Sequence, residues 1–329
     1  MSARGLSPTV LVTGPGGYVG SAIVLDLARR GARVRGFGHG RSFEALRGRA
    51  ATAIELIEGD LGDERALGAA MAGANAIVHT ASFAGERACQ RDKPGAVRTI
   101  TRGTRLVMDA ARAAGVARIV HLSTYAVYST FAERELPLRE DDPLLPDDLY
   151  GTLKAEAEWE AARAGATILR LTNVFGQGSG LVVKTDVMGH FLRAVENGAP
   201  IKTFGGGRQG IEFVHIDDVC RVVASLLDLE GGTLASNGAT AAGRSLVVNV
   251  GSGRATPIRD VAEIFQRSAH AELGRAIEIV DEPAPADKLW PDRWTSIERA
   301  RELWPWYPLR SLEDGIRELV RGLGARKEP

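Results

Sequence analysis

The chain has 329 residues, 44% of them hydrophobic and 25% charged, and its 41 basic side chains balance its 41 acidic ones. This length accommodates one large domain and a smaller appended one, and a net charge of zero excludes a general attraction to nucleic acid or to anionic lipid. No stretch approaches the ~20 apolar residues of a membrane helix, and the first apolar run is too short for a signal peptide, so we expect a cytoplasmic protein without a membrane span. Two widely separated cysteines without a CxxC motif, Cys89 and Cys220, predict reduced buried thiols and no metal site.

The first 170 residues alternate short apolar runs with longer amphipathic segments. The apolar runs lie at 9–13, 33–37, 53–58, 76–80, 118–122 and 167–171. Helical periodicity is found at 17–30, 65–72, 94–114 and 150–164. Strands without polar alternation are buried on both faces, which is typical of a parallel sheet covered by helices. The predicted fold class is therefore α/β, with a doubly wound parallel Rossmann sheet.

Glycine-rich turns divide the chain after Leu171 into single helices and isolated strands. Helices are predicted at 186–197, 217–229, 257–271 and 311–323. The prediction is a first domain over residues 1–172 and a smaller C-terminal α+β lobe over residues 173–329. Segments at about 210–220 and 245–253 are expected to return to the first domain, the second of them as a strand. The lobe would cover the C-terminal edge of the sheet, where ligands bind in such folds.

The first predicted strand ends in a glycine-rich turn, Thr13-Gly14-Pro15-Gly16-Gly17-Tyr18-Val19-Gly20. Gly14 permits the tight turn, Gly17 lets a pyrophosphate approach the backbone, and Gly20 lets the next helix pack closely on the strand. The helix N-terminus then faces the phosphates. An ordinary tight turn has similar glycines, but the strand–turn–helix context predicts that residues 1–172 are a dinucleotide-binding domain.

The position that distinguishes NAD from NADP falls on Gly38, at the end of the second strand. An acid there would accept hydrogen bonds from the adenosine ribose of NAD. Glycine removes the charge that would repel a 2′-phosphate, and His39 or Arg41 could pair with that phosphate, although Arg41 is also compatible with a solvated loop charge. The sequence favours NADP and leaves NAD open. Asp60 is placed to reach the adenine edge or to cap a helix, for which Asp63 is better placed.

Tyr150 and Lys154 occupy positions i and i+4 of a predicted helix, so the phenol and the ammonium project from one face. A free tyrosine is a poor base because its pKa lies near 10. Lys154 and an oxidised nicotinamide both favour the phenolate, so we expect the pKa of Tyr150 to be lowered. Tyr150 would then exchange a proton with a substrate hydroxyl while a hydride moves to or from the nicotinamide. Thr124, with Ser123 as the alternative, is predicted to hydrogen-bond the reacting oxygen.

Together these motifs resemble the extended short-chain dehydrogenase/reductase family, of the NAD-dependent epimerase/dehydratase type. The matching segments run from Val10 to about Leu323, and they are 13–20, 59–61, 78–81, 103–104, 123–128, 150–154, 169–176, 213–219 and 249–253. The resemblance implies that Thr124, Tyr150 and Lys154 are catalytic. It also implies a nucleotide-sugar substrate and a homodimer paired through the helices at 94–114 and 150–164.

The site residues predicted from the motifs and the resemblance fall into two groups. The cofactor contacts are Gly14, Gly16, Gly17, Tyr18, Val19, Gly20, His39, Arg41, Asp60, Leu61, Thr80, Ala81, Ser82, Tyr150, Lys154 and Asn173. The substrate contacts are Ser82, Thr124, Tyr125, Asn173 and Arg208.

The chain also departs from the family pattern. Dehydratases carry an Asp-Glu pair after the catalytic threonine, where this chain has Tyr125 and Ala126, so sugar dehydration is not expected. The arginine that clamps a nucleotide diphosphate is replaced within Ile211-Glu212, and a second arginine is missing from residues 283–287. Either Arg208, Lys202 or Arg293 replaces them, or the substrate has no nucleotide diphosphate. A family asparagine of the proton relay appears here as Ile100.

The sequence therefore predicts an NAD(P)(H)-dependent enzyme that acts at a hydroxyl or ketone carbon of a sugar, as a 4-keto reductase or a 4-epimerase. A small-molecule substrate is the expected partner, without nucleic acid. Two alternatives stay open. One is a reductase or dehydrogenase of a non-sugar hydroxyl, and the other is a non-catalytic dinucleotide sensor, against which the retained Tyr150 and Lys154 argue.

Overall fold

The computed structural model describes residues 8–47, 53–129, 133–180, 186–227, 245–284, 291–304 and 306–325. Its strands are β1 Thr9–Thr13, β2 Arg33–Gly38, β3 Ile54–Glu58, β4 Ala76–His79, β5 Arg118–Thr124, β6 Thr167–Leu171, β7 Asn173–Phe175, β8 Ile201–Phe204, β9 Gly210–Ile211, β10 Phe213–His215, β11 Leu246–Val250, β12 Thr256–Pro257 and β13 Ile279–Glu282. Seven of them form a parallel sheet in the order β11-β6-β5-β4-β1-β2-β3. The predicted α/β class with a parallel Rossmann sheet is confirmed.

Most of the helices follow the predicted amphipathic segments with small shifts at their ends, but the sequence pattern predicts no helix at 41–47, 86–91 or 298–303. The helices of the described residues are α1 Tyr18–Arg29, α2 Arg41–Arg47, α3 Glu64–Met71, α4 Glu86–Arg91, α5 Lys93–Ala96, α6 Gly103–Ala113, α7 Leu149–Arg163, α8 Val187–Asn197, α9 Ile216–Leu226, α10 Ile258–Leu273, α11 Glu298–Leu303 and α12 Leu312–Ala325. The segment predicted as one helix at 94–114 contains a π-helical stretch, Val97–Arg102, between α5 and α6. None of the helices in the described ranges is both long enough and apolar enough to cross a bilayer.

Two hydrophobic layers cover the central sheet. Alternate residues of β1 face opposite sides, so Val10 and Val12 pack with α1 and α9, whereas Leu11 packs with α3 and α6. Burying one such aliphatic side chain contributes roughly 1.5–3 kcal/mol, which explains why these strands contain so few polar residues. Because both faces are covered, only the strand ends are left for ligands.

The C-terminal lobe has a smaller hydrophobic core of its own, formed by residues of α8, α10 and α12 together with Phe175 and Phe213. Short strand pairs, β8 with β13 and β9 with β12, support it at the sheet's C-terminal edge. The chain also returns to the main sheet, because β11 pairs with β6 along its whole length. Trp304 and Trp306 pack into the core beside the sheet. One strand, β11, thus joins the lobe's part of the chain to the main sheet.

Candidate active site

The turn between β1 and α1 is shaped to receive a group close to its backbone. Gly14 has a φ of +68°, and a Cβ there would lie 2.7 Å from the Cα of Ala81. A Cβ at Gly20 would collide with the carbonyl of Gly14, so the helix can begin this close to the strand only with glycine. Gly14 and Gly17 border a cavity of about 550 Å³ at the C-terminal edge of the sheet. The cradle fits a dinucleotide, whose phosphates would lie at the N-terminus of α1.

The 550 Å³ cavity contains part of the predicted cofactor set. The predicted residues that line it are Gly14, Gly17, His39, Asp60, Leu61, Thr80, Ala81 and Ser82. Tyr18 faces elsewhere, because its hydroxyl donates to the carbonyl of Gly176 (2.6 Å) and thereby holds the loop after β7. Gly16, Val19 and Gly20 are not among the described lining residues.

Packing accounts for the missing carboxylate at Gly38. A Cβ at Gly38 would lie 3.0 Å from the Cδ of Pro15, and one at Gly36 would lie 3.0 Å from the Cβ of the same proline. Pro15 therefore occupies the space that a larger residue on β2 would need. His39 lies 3.6 Å from Asp60, with both side chains exposed. Arg41 begins α2, but its side chain lies outside the described residues.

Two arginines of the cavity wall are missing from the predicted set. Arg98 and Arg102 lie on the π-helical stretch and line the 550 Å³ cavity. The sequence pattern shows only a continuous amphipathic helix there, and the wider π turn changes which of its residues face the cavity. Both arginines are exposed, as expected for cations at the rim of an anion site.

Thr124 and Tyr150 are brought together where β5 ends and α7 begins. Asp148 caps α7 by accepting a hydrogen bond from the backbone of Gly151 (2.6 Å), and the backbone of Tyr150 donates to Glu86 (2.8 Å). The side chain of Thr124 lies close to the phenol of Tyr150, and their interaction tends to lower the pKa of Tyr150. Burial outweighs this effect and, helped by nearby Cys89, raises the pKa of Tyr150. The expectation of a lowered pKa is therefore wrong for the protein alone, because desolvation disfavours the phenolate.

Lys154 is buried one helical turn beyond Tyr150. Its Nζ donates to the carbonyl of Leu122 (2.6 Å) and lies 3.5 Å from Nε2 of His121. Burial lowers the pKa of Lys154 to about 8, and the neighbouring Glu158 opposes the shift. With this pKa, the ammonium keeps most of its charge at neutral pH and loses its proton as the pH rises through 8.

Two neighbouring histidines with tilted rings lie behind Lys154. The rings of His79 and His121 lie 5.2 Å apart, and burial lowers the pKa of each, so both are neutral. The hydroxyl of Thr104 donates to the carbonyl of Ile100, which leaves it as an acceptor for Nε2 of His79 (2.9 Å). Nδ1 of His79 then accepts from Thr13 (2.6 Å). The neutral rings add no charge next to Lys154, so burial is the main cause of its lowered pKa.

Ser123, the alternative to Thr124, has a structural role. Its hydroxyl donates to Glu158 (2.5 Å), which forms a buried ion pair with Arg170 (2.7 Å). Arg170 in turn donates to the hydroxyl of Tyr128 (2.9 Å), which donates to Asn249 (2.8 Å). Ser123 is therefore committed to a buried network, and Thr124 is the hydroxyl beside Tyr150.

A second cavity, of about 740 Å³, lies between Tyr125 and the C-terminal lobe. Its other lining residues are Asp186, Val187, His190, Phe191, Ala194, Pro200, Lys202, Thr203, Phe204, Gln209, Ile211, Ile258, Pro291 and Arg293. Asn173 donates to the hydroxyl of Tyr125 (3.0 Å) and to the carbonyl of Glu212 (3.0 Å), so it fixes the ring at the cavity wall. The walls are mostly apolar with a few polar groups, which is typical of a small-molecule site.

The position of the missing arginine and the three cations considered as its replacement occupy different environments. Glu212 is buried and accepts hydrogen bonds from Gly253 and Thr295, and burial raises its pKa to about 7. Arg208 is exposed and is not among the described residues that line either cavity. Lys202 lines the 740 Å³ cavity but pairs with Glu282 (2.7 Å). Arg293 lines the same cavity and is 6% exposed.

Comparison with known proteins identifies the family. A family model described as the NAD dependent epimerase/dehydratase family matches residues 10–235, more than half of the chain. The chain belongs to this family. The suspected resemblance to extended short-chain dehydrogenases/reductases is thereby confirmed.

Two relatives match nearly the whole length of this chain. A dTDP-6-deoxy-L-talose 4-dehydrogenase (NAD(P)(+)) of Kitasatospora kifunensis is 30% identical over 331 residues, with 97% of each protein covered. A UDP-glucose 4-epimerase of Azospirillum brasilense is 29% identical over 338 residues, covering 94% of this chain and 90% of the relative. The two names differ in reaction type, so they do not distinguish a dehydrogenase from an epimerase.

A solved structure has the same fold. The UDP-glucose-4-epimerase from Stenotrophomonas maltophila with bound NAD and formylated UDP-arabinopyranose superposes with a TM-score of 0.81. It is 21% identical, and the match covers 97% of this chain and 98% of that chain. Within the described ranges of the present protein, no group of three His, Cys, Asp or Glu side chains is placed to hold a metal ion.

Proposed function

We propose that the protein is an NAD(P)(H)-dependent oxidoreductase acting at a hydroxyl or ketone carbon of a nucleotide sugar, as a 4-keto reductase or a 4-epimerase. The observation that carries this proposal is the contact of Thr124 with Tyr150, beside Tyr125, which lines the 740 Å³ cavity. A substrate in that cavity would present its reacting oxygen to a hydroxyl pair at the end of β5.

Three residues of the chain would have separate roles in the reaction. A bound nicotinamide dinucleotide supplies the acceptor or donor of the hydride. Tyr150 removes the substrate's hydroxyl proton in oxidation and returns it in reduction. Thr124 hydrogen-bonds the same oxygen and orients it. The positive charge of Lys154 favours the phenolate of Tyr150 against the opposing effect of burial.

The cofactor we propose is NADP, with NAD as the alternative. Gly38 supports NADP because no carboxylate stands there to repel a 2′-phosphate, and Arg98 and Arg102 add positive charge to the same cavity. The identity and amount of the nucleotide that co-purifies with the protein test this choice. Exchangeable NADP would agree with a reductase, whereas tightly held stoichiometric NAD would indicate a recycling epimerase and contradict the NADP assignment.

Sugar dehydration is disfavoured by the two residues after Thr124. Elimination of water needs a second acid and base near the reacting ring. Tyr125 is not a strong acid at neutral pH, because burial raises its pKa. Ala126 has no ionisable group. Formation of a 4-keto-6-deoxy product from dTDP-glucose would contradict this part of the proposal.

A second candidate is a reductase or dehydrogenase of a non-sugar hydroxyl. It is favoured by Ile211 and Glu212, which replace the residues expected to clamp a diphosphate. Thermal unfolding with and without nucleotide sugars separates the candidates, because a ligand that binds the folded state raises the midpoint. We expect a rise with nucleotide sugars; a rise only with nucleotide-free alcohols or ketones would support the second candidate.

We further propose a homodimer paired through α7 and the helix that contains the π stretch. Trp159 of α7 is 62% exposed and Val97 of the π stretch is 45% exposed, an apolar combination that pairing would cover. Molar mass from light scattering tests this. A monomer at micromolar concentration would contradict it, and Trp159→Glu should convert the dimer to monomer.

A further inference from the structure

We infer that Arg293 binds a carboxylate carried by the sugar ring of the substrate, so that the enzyme acts on an acidic sugar nucleotide. This inference rests on the proposed function for the identity of the reacting group. It concerns one end of the 740 Å³ cavity, where Arg293 and Tyr125 both belong to the wall.

Arg293 is a buried cation with an incomplete set of hydrogen bonds. The residue is 6% exposed, and its Nη1 donates to the backbone carbonyl of Ser129. Its Nη2 is buried without a hydrogen-bond partner among the residues that the structure describes. A buried donor without a partner costs about 1–3 kcal/mol, and more when it is charged. A buried donor of this kind calls for a partner, and the cavity that Arg293 lines is where a ligand could supply one.

The protein supplies little compensating negative charge at this point. No carboxylate of the described ranges forms an ion pair with Arg293. Asp147 and Asp148 act on it from a greater distance, and each also accepts another hydrogen bond, from Ser129 and from Gly151 respectively. Burial accordingly lowers the pKa of Arg293, with Arg134 adding to the shift. A ligand oxyanion would remove this imbalance.

The neighbours of Arg293 place that oxyanion near the reacting carbon. Arg293 and Tyr125 interact electrostatically, and Tyr125 directly follows Thr124 in the chain. Asn173 fixes the Tyr125 hydroxyl (3.0 Å). Lys202, the other cation of the cavity, lies on β8, is exposed and is paired with Glu282, so it does not compete for a buried oxyanion. Both phosphate and carboxylate match a guanidinium, but the interaction of Arg293 with Tyr125, the residue next to Thr124, favours a group on the reacting ring over the diphosphate.

The test compares acidic and neutral ligands on the holoenzyme. Calorimetric titrations use UDP, dTDP, UDP-glucose and UDP-glucuronate against the wild type, Arg293→Met and Arg293→Lys. We expect the wild type to bind UDP-glucuronate more tightly than UDP-glucose by roughly tenfold to a hundredfold, the range of a hydrogen bond to a charged group. Arg293→Met should abolish that preference and leave the affinity for UDP or dTDP within about threefold.

The test includes a control variant and a second variant of Arg293. Arg267→Met removes an exposed arginine of α10 and should leave all four affinities unchanged. If Arg293→Met does not fold, Arg293→Lys still applies, because a single ammonium should retain part of the carboxylate preference but not its full size.

Three results would overturn the inference in different ways. Equal wild-type affinity for the two sugar nucleotides would refute the carboxylate site and leave the proposed function intact. A loss of UDP or dTDP affinity in Arg293→Met as large as the loss for UDP-glucuronate would assign Arg293 to the diphosphate. If neither UDP nor dTDP binds the wild type, the nucleotide-sugar function falls together with the inference.

Discussion

The two cavities of the candidate site differ in what forms their walls, which is backbone at glycines in one and side chains in the other. The 550 Å³ cavity is bordered by six glycines, Gly14, Gly17, Gly38, Gly59, Gly62 and Gly95, whereas the described lining of the 740 Å³ cavity contains none. The first is therefore shaped by backbone that comes close to its ligand, and the second by side chains of distant segments. Backbone shape suits a ligand shared by a family, while side chains allow the substrate to vary.

The largest expected effect separates chemistry from cofactor binding. Tyr150→Phe removes the proton-exchanging hydroxyl, so we expect kcat to fall by roughly 10²- to 10⁴-fold, the usual range for general acid–base catalysis. Dinucleotide affinity, measured by fluorescence titration, should change little. Tyr307→Phe is the matched control, because the Tyr307 residue is exposed. Unchanged turnover in Tyr150→Phe would refute the proposed role.

A glycine substitution tests whether backbone shape governs the first cavity. Gly14→Ala places a Cβ 2.7 Å from the Cα of Ala81 at a φ of +68°, and we expect dinucleotide affinity to fall by roughly tenfold or more. Gly31→Ala has a similar backbone strain, with a φ of +89°, but no atom within 4 Å of the new Cβ. It should lower the unfolding midpoint and leave affinity unchanged. Equal affinity losses in the two variants would mean that strain alone explains the effect.

The pH dependence tests the charge of Lys154. An ordinary lysine keeps its proton to about pH 10.4, but Lys154, with a pKa of about 8, loses it as the pH rises through 8. If the ammonium is the active form, kcat/KM should fall above pH 8 by about tenfold per pH unit. Lys154→Arg should move this decline to higher pH, because a guanidinium stays charged. A wild-type profile that is flat to pH 10 would argue against the role.

The smallest expected effect concerns cofactor choice. Gly38→Asp should weaken the binding of both NAD and NADP by a few fold, because its Cβ lies 3.0 Å from the Cδ of Pro15. Adding Pro15→Ala removes that atom, so NAD affinity should recover while NADP binding stays weak through charge repulsion. Separate titrations with the two dinucleotides measure this. Recovery of both affinities to the same degree would show that charge at position 38 does not select the cofactor.

Local patterns predicted the parts of the molecule that depend on local geometry. The predicted bounds of β1 and β6 agree with the structure, and the i,i+4 spacing placed Tyr150 and Lys154 on one helix. The burial and the neighbours of the functional side chains could not be predicted from such local patterns. The shift of the Tyr150 pKa depends on burial by segments far along the chain, and the position of Arg293 depends on its bridge to Ile211. A long-range desolvation or contact leaves no periodic signal in the sequence.

The seventh strand determines how the chain can be divided experimentally. β11 lies within the part of the chain that forms the lobe, yet it pairs with β6, and Asn249 within it binds Tyr128, Leu138 and Ser296. A fragment that stops at residue 172 would expose the backbone edge of β6 and leave the hydroxyl of Tyr128 without its acceptor. An unpaired buried edge favours association with other chains. A truncated dinucleotide-binding fragment should therefore aggregate on expression, and a fragment that also carries the returning strand should be more soluble.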